Sequence, residues 1–301
     1  MAVVRTCLAL VAVTLSAVIH AQPVFRSAVD LVTVLVTVTA KNTLRRVGEL
    51  GAADFRVYED DVLQELTVVS HEPRTLSVCI LVDSSPSMAS GRQPLATRAI
   101  DALLKGLEDD DEASVHFFAA RVRTVLPWTR GADLTPISWL EWRLSLGTAL
   151  IDALKEGLAQ VEKARNQLPV ILVVSDGGEN VSGTSLSKLV ESRRQSETLI
   201  YGIQTDLAPS RYAPLVNRAF ANFLPRVVGD SGGMIHRVRT VEEAETAAQA
   251  LLEELRSQYT LGFAPRRALD GNYRALRIEA VDQNLTTRHR AGYLAIAHKV
   301  P

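Results

Sequence analysis

The chain has 301 residues, 47% of them hydrophobic and 22% charged, with 33 basic against 34 acidic side chains and a formal net charge of −1. That balance leaves no electrostatic footprint for nucleic acid, and the apolar content excludes a disordered or low-complexity chain. About 280 residues beyond an N-terminal leader can bury one large core, or one core and a satellite domain.

Residues 1–21 read as a signal peptide. Arg5 supplies the positive start, Leu8 to Ile19 the apolar stretch and Ala21 a small residue at the expected cut. The stretch is shorter than the roughly 20 residues a spanning helix needs, and no later stretch is long and apolar enough to span a membrane. A retained anchor is the alternative to cleavage. Of the two cysteines, Cys7 would leave with the leader, and Cys79 falls inside a strand as a small hydrophobe. Export is thus expected, to the periplasm, the cell surface or the medium, without a disulfide-dependent fold.

Residues 22–73 read as a β segment. Val29 to Thr39 is rich in Val and Thr, and Phe55 to Tyr58 and Leu63 to Ser70 are shorter strand candidates. Between these two, Glu59-Asp60-Asp61 reads as a hairpin turn, with calcium binding as the sharper alternative.

From residue 74 to 256 strands and helices alternate, the sign of a mostly parallel sheet covered on both faces. The chain runs S-V-C-I-L-V-D-S-S-P-S from Ser77 to Ser87. An unbroken apolar run suits a buried parallel strand. It ends on Asp83, with Ser85 and Ser87 in the loop beyond. These are oxygen ligands of the kind hard divalent cations select, although a polar turn bonding its own backbone reads equally from so short a pattern. Leu95, Ala99, Ile100, Leu103, Leu104 and Leu107 line one helical face. Asp109-Asp110-Asp111-Glu112 precedes the strand from Ser114 to Phe118 and reads as a solvated loop. Arg121 to Leu126 suits an antiparallel edge strand. Trp128, Trp139 and Trp142 follow, read as packing beneath the segment that leads to Gly147-Thr148, with an exposed partner anchor as the alternative. Thr148 precedes a helix with Leu150, Ile151, Leu154, Leu158 and Val161 on one face, and is a candidate cap. Asp176 closes a second buried strand as Asp83 closes the first, and Gly177-Gly178 permits a sharp turn. In open α/β sheets ligands collect at the carboxyl ends of strands, where strand order reverses.

The set D-S-S-P-S, G-T-A-L and S-D-G-G-E-N resembles the metal-ion-dependent adhesion site of von Willebrand factor type A domains. The resemblance covers roughly residues 75–255. The flanking pieces F-R-S-A-V-D-L-V-T-V, D-F-R-V-Y-E-D, Y-T-L-G-F-A-P and R-A-G-Y-L-A resemble a related family described largely from Acidobacteria. What the resemblance implies is a Mg2+ or Mn2+ ion held, directly or through water, by Asp83, Ser85, Ser87, Thr148 and Asp176. A partner Asp or Glu would complete its shell, and the loops around Ser84, Met88, Arg92, Glu179 and Asn180 would set specificity.

Further on, Ser185 to Gln195 reads as a helix and Thr198 to Gln204 as a strand. Thr205 to Val228 is interrupted by Pro209, Pro214 and Pro225. Gly229-Asp230-Ser231-Gly232-Gly233 copies a trypsin-like nucleophile motif, but no partner histidine motif or string of short strands accompanies it. It reads instead as the turn before a strand, Met234 to Val238. Thr240 to Glu243 is a capping box, opening a helix that buries Ala244, Ala248, Leu251, Leu252 and Leu255. Residues 257–301 bring strands at Gln258–Phe263, Tyr273–Val281 and Thr286–Ala295, with a hairpin turn at Asp270-Gly271-Asn272. The strands at the two ends are each too few to stand alone, so together they are expected to form one small β-sandwich in which the α/β domain is inserted.

His20, His71, His116, His236, His289 and His298 lack zinc-ligand spacing, and no phosphate-cradling glycine loop is present. The favoured reading is a metal-dependent, adhesion-type protein-binding module and not an enzyme. A metal-dependent hydrolase and a structural module with a vestigial site are the alternatives.

Overall fold

The computed structural model describes residues 31–41, 47, 49–89, 91–139, 142, 144–166, 169–207 and 223–296. The proposed signal peptide, Cys7, His20, His298 and most of the Pro-interrupted segment lie outside these residues.

The fold is α/β, with a mostly parallel central sheet and two flanking antiparallel sheets. The central sheet comprises β5 (Ser77–Asp83), β6 (Glu112–Phe118), β7 (Val122–Arg130), β8 (Val170–Ser175), β9 (Leu199–Thr205) and β10 (Ile235–Val238), in the order β10-β9-β8-β5-β6-β7. Only β7, at one edge, runs antiparallel, and it returns from β6 through a tight turn. Every residue of β5 is buried. Because side chains alternate across a strand, Val78, Ile80 and Val82 feed the core on one face while Cys79 and Leu81 feed the core on the other. The first core is closed by α1 (Arg92–Lys105) and α5 (Val241–Arg256), the second by α2 (Leu150–Val161), α3 (Leu186–Arg194) and α4 (Phe223–Ser231).

This strand order places the topological switch point between β5 and β8, the first strand of the sheet and the one that restarts on its other side. The two are parallel neighbours in register from Val78↔Val170 to Val82↔Val174. Ser175 thus falls beside Asp83, and Asp176 just beyond.

The flanking sheets draw on both ends of the described chain. One has the order β13-β1-β11-β4, from β1 (Val32–Ala40), β4 (Leu66–Ser70), β11 (Tyr259–Phe263) and β13 (Leu285–Arg288). The other is β14-β12-β2-β3, from β2 (Phe55–Glu59), β3 (Val62–Gln64), β12 (Tyr273–Ala280) and β14 (Gly292–Leu294). Val34, Val36, Leu261 and Phe263 of the first sheet share one apolar cluster with Phe55, Val57, Leu276 and Ile278 of the second.

Several expected elements come out differently. The strand expected over Leu63–Ser70 is two strands in different sheets, separated at the exposed Glu65. The strand expected over Thr286–Ala295 also divides. Between its halves the buried Arg290 donates to Thr33 O at 2.8 Å, and Ala291 N donates to Asp230 O at 3.0 Å. Asp270-Gly271-Asn272 joins no hairpin, since β11 and β12 lie in different sheets; it bonds instead to Ala295, beyond β14. Asp60 and Asp61 do form the two-residue hairpin turn, with φ of 45° and 64°. Glu59 is not part of it but is a buried anchor, accepting from Arg274 Nη1 at 3.0 Å and from the Tyr293 hydroxyl. Half of the acidic run at Asp109–Glu112 is likewise internal. Asp111 accepts from Leu76 N at 2.7 Å and from Arg256, and Glu112 accepts from Ser77 Oγ at 2.6 Å. Gly229, Asp230 and Ser231 belong to α4, and the turn starts at Gly232, with φ +92°. The buried Ser231 hydroxyl donates to Val228 O at 2.7 Å, a helix-end bond with no nucleophile geometry.

One buried polar cluster joins the central unit to the first flanking sheet. Glu254 Oε1 of α5 accepts from Tyr201 Oη of β9 at 2.6 Å, from Thr37 Oγ1 of β1 at 3.3 Å and from Arg288 of β13. Gln258 Nε2 donates to both Thr37 Oγ1 and Tyr201 Oη, at 3.1 Å each. Burial first, and the Glu254 carboxylate second, push the Tyr201 phenol above its ordinary pKa, keeping it a neutral donor. Removing the shared acceptor strands a guanidinium and two hydroxyls. Glu254→Ala is therefore expected to cost about 3–5 kcal/mol in urea unfolding monitored by circular dichroism; a loss under about 1 kcal/mol would be that of an exposed pair.

Candidate metal centre

Asp83 ends β5 and is fully buried. Its Oδ1 accepts from Ser85 N at 2.8 Å and its Oδ2 from Ser175 Oγ at 2.6 Å, so the carboxylate is held by its own loop and by the neighbouring strand. Ser85 and Ser87 hydrogen-bond through their hydroxyls at 3.0 Å, which puts both on one side of the loop. Ser84 fixes the loop to the end of β6, its N and Oγ donating to Phe118 O at 2.7 and 2.9 Å.

Thr148 is tied to the same strand end, because Ala149 N donates to Ala119 O at 2.8 Å. It does not cap α2. The capping position is Ala149, and Glu179 Oε2 accepts from Ile151 N at 2.9 Å in the role expected of the threonine. The Thr148 hydroxyl is thereby left for other work. The loop after β8 locks onto Thr148 through its backbone: Thr148 N donates to Asn180 Oδ1 at 2.8 Å, and Asn180 N to Thr148 O at 2.9 Å.

Asp176 completes the group. Gly177 turns the chain at φ +86°, a conformation that favours glycine, and Gly178 N donates to Asp176 Oδ1 at 3.1 Å. A Cβ on Gly178 would lie 3.2 Å from Asp176 Oδ1 and 3.8 Å from Thr148 Oγ1. Both oxygens therefore border the same side-chain-free spot. Arg92, buried at the start of α1, brings Nε to 3.9 Å from Asp176 Oδ2 while its Nη2 donates to Leu207 O.

Three loops at the carboxyl ends of β5 and β8 and ahead of α2 thus gather two carboxylates and three hydroxyls. Burial first and the Asp176 carboxylate second push the Asp83 pKa up to about 7, against the opposing hydrogen bonds from Ser175 and Ser85. The donor set fits a hard divalent cation: all five side chains offer oxygen, and the fully buried Asp83 and the half-buried Asp176 place two like charges together with Arg92 Nε, 3.9 Å from Asp176, as the cation beside them. Among the described residues no group of three or more His, Cys, Asp and Glu stands together.

Of the residues that mark the loops expected to set specificity, Ser84, Met88, Arg92 and Glu179 are buried, their side chains serving the loops' own packing, and Asn180 is exposed. Trp128 lies within β7 and donates to Gln160 O, at the far end of α2. Trp142 is buried against Phe117, and Trp139 packs beside them and donates to Asp101. The exposed large apolar side chains on the neighbouring loops, which sequence reasoning missed, are Leu144, Leu146 and Val181.

Residues 78–179 match the model of the von Willebrand factor type A domain family, a span that includes all five oxygen donors. The chain carries a von Willebrand factor type A domain. Such A domains are generally interaction modules. Among solved structures, a von Willebrand factor type A protein from Catenulispora acidiphila is 12% identical, with 90% of this chain and 75% of that one covered and a TM-score of 0.49. The ArnB paralog VWA2 from Sulfolobus acidocaldarius is 11% identical over 90% and 76%, with a TM-score of 0.47. An aerotolerance-related membrane protein from Bacteroides fragilis is 19% identical over 60% and 98%, with a TM-score of 0.44. At these values the likenesses carry no weight beyond themselves. No curated protein sequence matches significantly.

The raised Asp83 pKa has a sign. A carboxyl whose pKa is higher folded than unfolded contributes stability below the unfolded value and loses it as pH rises through the folded one. In chelator, the melting temperature is expected to fall between pH 3.8 and about 7. Asp83→Asn should flatten that part of the curve. An unchanged slope in Asp83→Asn would assign the dependence to other groups.

Proposed function

We propose that the A domain binds one Mg2+ or Mn2+ through Asp83, Ser85, Ser87, Thr148 and Asp176, and that the ion captures an Asp or Glu side chain of a protein partner. The observation that carries this reading is the pairing of Asp83 with Asp176 at the switch point, with three hydroxyls around them. Bound there, a divalent cation would offset the burial and, after it, the Asp176 repulsion that raise the Asp83 pKa. Mg2+ prefers six oxygen ligands, so protein donors and water leave room for an acidic group from outside. The donors sit at strand ends held by the sheet, which suits a site that must keep its geometry without a ligand.

The reading is of a binding protein and not an enzyme. A hydrolase would need its hydroxyls activated by a neighbouring base, whereas Ser85 and Ser87 are bonded to each other. We place the activity outside the cytoplasm, on the strength of residues 1–21. No helix of the described residues is long and apolar enough to cross a membrane. The flanking sheets, tied to α5 through Glu254, would then serve as the mount that presents the metal face.

Titration calorimetry with Mg2+ or Mn2+ is expected to give one site in the wild type and no measurable uptake in Asp83→Ala or Asp176→Ala. Equal uptake by these variants would overturn the assignment.

Thr148→Ala separates binding from folding. Its hydroxyl caps no helix, so the stability cost should stay within about 1 kcal/mol. Capture of partner proteins from envelope extracts in Mg2+, eluted with EDTA, should nevertheless be lost. Retained capture by a metal-free Thr148→Ala would refute the bridging role.

A further inference from the structure

On the face of the central sheet away from α1 and α5, α3 and α4 do not close on each other. A cavity of about 700 Å³ is left between them, with Tyr273 of β12 and its cross-strand partner Leu294 of β14 also in its wall. The volume falls within the roughly 300–1,000 Å³ of small-molecule sites, which collect at junctions between structural units. Helical spacing supplies the long walls. Leu186, Val190 and Arg194 recur every four residues along α3, and Phe223, Val227 and Asp230 share one stripe of α4. Arg193 Nη1 donates to Asp230 O at 3.1 Å and joins the C-terminal ends of the two helices, so they run the same way along the cavity. One end is therefore apolar and the other basic. At the basic end the Arg194 guanidinium lies 4.7 Å from the centre of the Tyr273 ring.

Arg193 is the residue that calls for a ligand. It lines the cavity, is only 4% exposed, and its Nε has no hydrogen-bond partner. Arg193 meets a carbonyl oxygen and Arg194 an aromatic face, and among the described residues neither meets a carboxylate. Asp230 turns its own carboxylate to Arg226, with Oδ2 4.0 Å from Nε. A buried cation without an anion is costly, and the guanidinium fork matches a carboxylate in geometry. We propose that this cavity binds a small amphipathic carboxylate. Its acid would sit at Arg193 and Arg194, and its aliphatic or aromatic body along Val190, Phe223 and Val227. Three arginines against Glu191 and Asp230 leave the lining one positive charge in excess, which suits a single carboxylate better than a phosphate monoester of charge near −2. The acid is held at the end of α3 remote from the Asp176 loop, so the site stands apart from the metal reading.

Octanoate titrated against the full chain in EDTA tests this, read by the melting temperature and by displacement of the fluorescent anion anilinonaphthalene sulfonate. Octanoate is expected to displace the dye and to raise the melting temperature. Acetate, which lacks the apolar body, and octylamine, which reverses the charge, should do neither. Arg194 is exposed, so Arg194→Glu should keep the circular dichroism and melting temperature of the free wild type while binding octanoate about tenfold more weakly. Arg194→Lys, which keeps the charge, should recover most of the affinity and serves as the control for folding. Octanoate that binds Arg194→Glu as tightly as wild type would overturn the proposal. Displacement by octylamine as effective as by octanoate would reduce the cavity to an unselective apolar groove and overturn it too. So would the absence of any effect of octanoate on the wild type.

Discussion

Two negative charges that the sheet forces together organise this molecule. Asp83 ends one parallel strand and Asp176 directly follows the end of its neighbour, and the register from Val78↔Val170 to Val82↔Val174 sets the two strand ends side by side. The surrounding bonds read as ways of tolerating that repulsion. Ser175 and Ser85 donate to one carboxylate, Gly178 donates to the other, and Arg92 stands behind it. They do not restore an ordinary carboxyl, since burial first and the Asp176 carboxylate second still raise the Asp83 pKa to about 7. A site left with this residual demand for positive charge is suited to a cation that comes and goes.

The flanking sheets matter to this because of where they attach. Glu254 gathers donors from β9, β1 and β13 onto one oxygen, and Arg290 bonds the backbone of β1. The helix and strand that carry Glu254 and Tyr201 both line the core beneath β5. The flanking sheets and the candidate metal centre are therefore linked through packed side chains, and neither set of terminal strands completes a sheet without the other.

Much of this was legible in the chain. The buried run from Ser77 to Asp83 ends on its carboxylate, and its counterpart ends at Asp176, because parallel strands covered on both faces read as unbroken apolar runs. Ser85 and Ser87 follow from the loop after the first of these strands, whereas the grouping of all five oxygen donors as one set is what the resemblance implied. Where the reading went wrong, tertiary contacts had overridden local pattern. Asp111 and Glu112 look solvated in an acidic run, yet backbone and hydroxyl donors from the start of β5 claim them. Glu59 looks like turn residue until Arg274 and Tyr293 arrive from the far end of the chain. The change of sheet between β13 and β14 carries no turn signal, only a buried arginine. Thr148 was credited with a cap that Glu179 supplies from another loop, and no local pattern could have foretold that exchange.

The central claim is that three loops make one cation site. Anomalous diffraction from crystals soaked in Mn2+ tests it most directly. The account predicts a single strong peak bounded by Asp83, Ser85, Ser87, Thr148 and Asp176. A peak elsewhere, with Asp83 bonded only to Ser85 and Ser175 and the space before Gly178 filled by water, would contradict it.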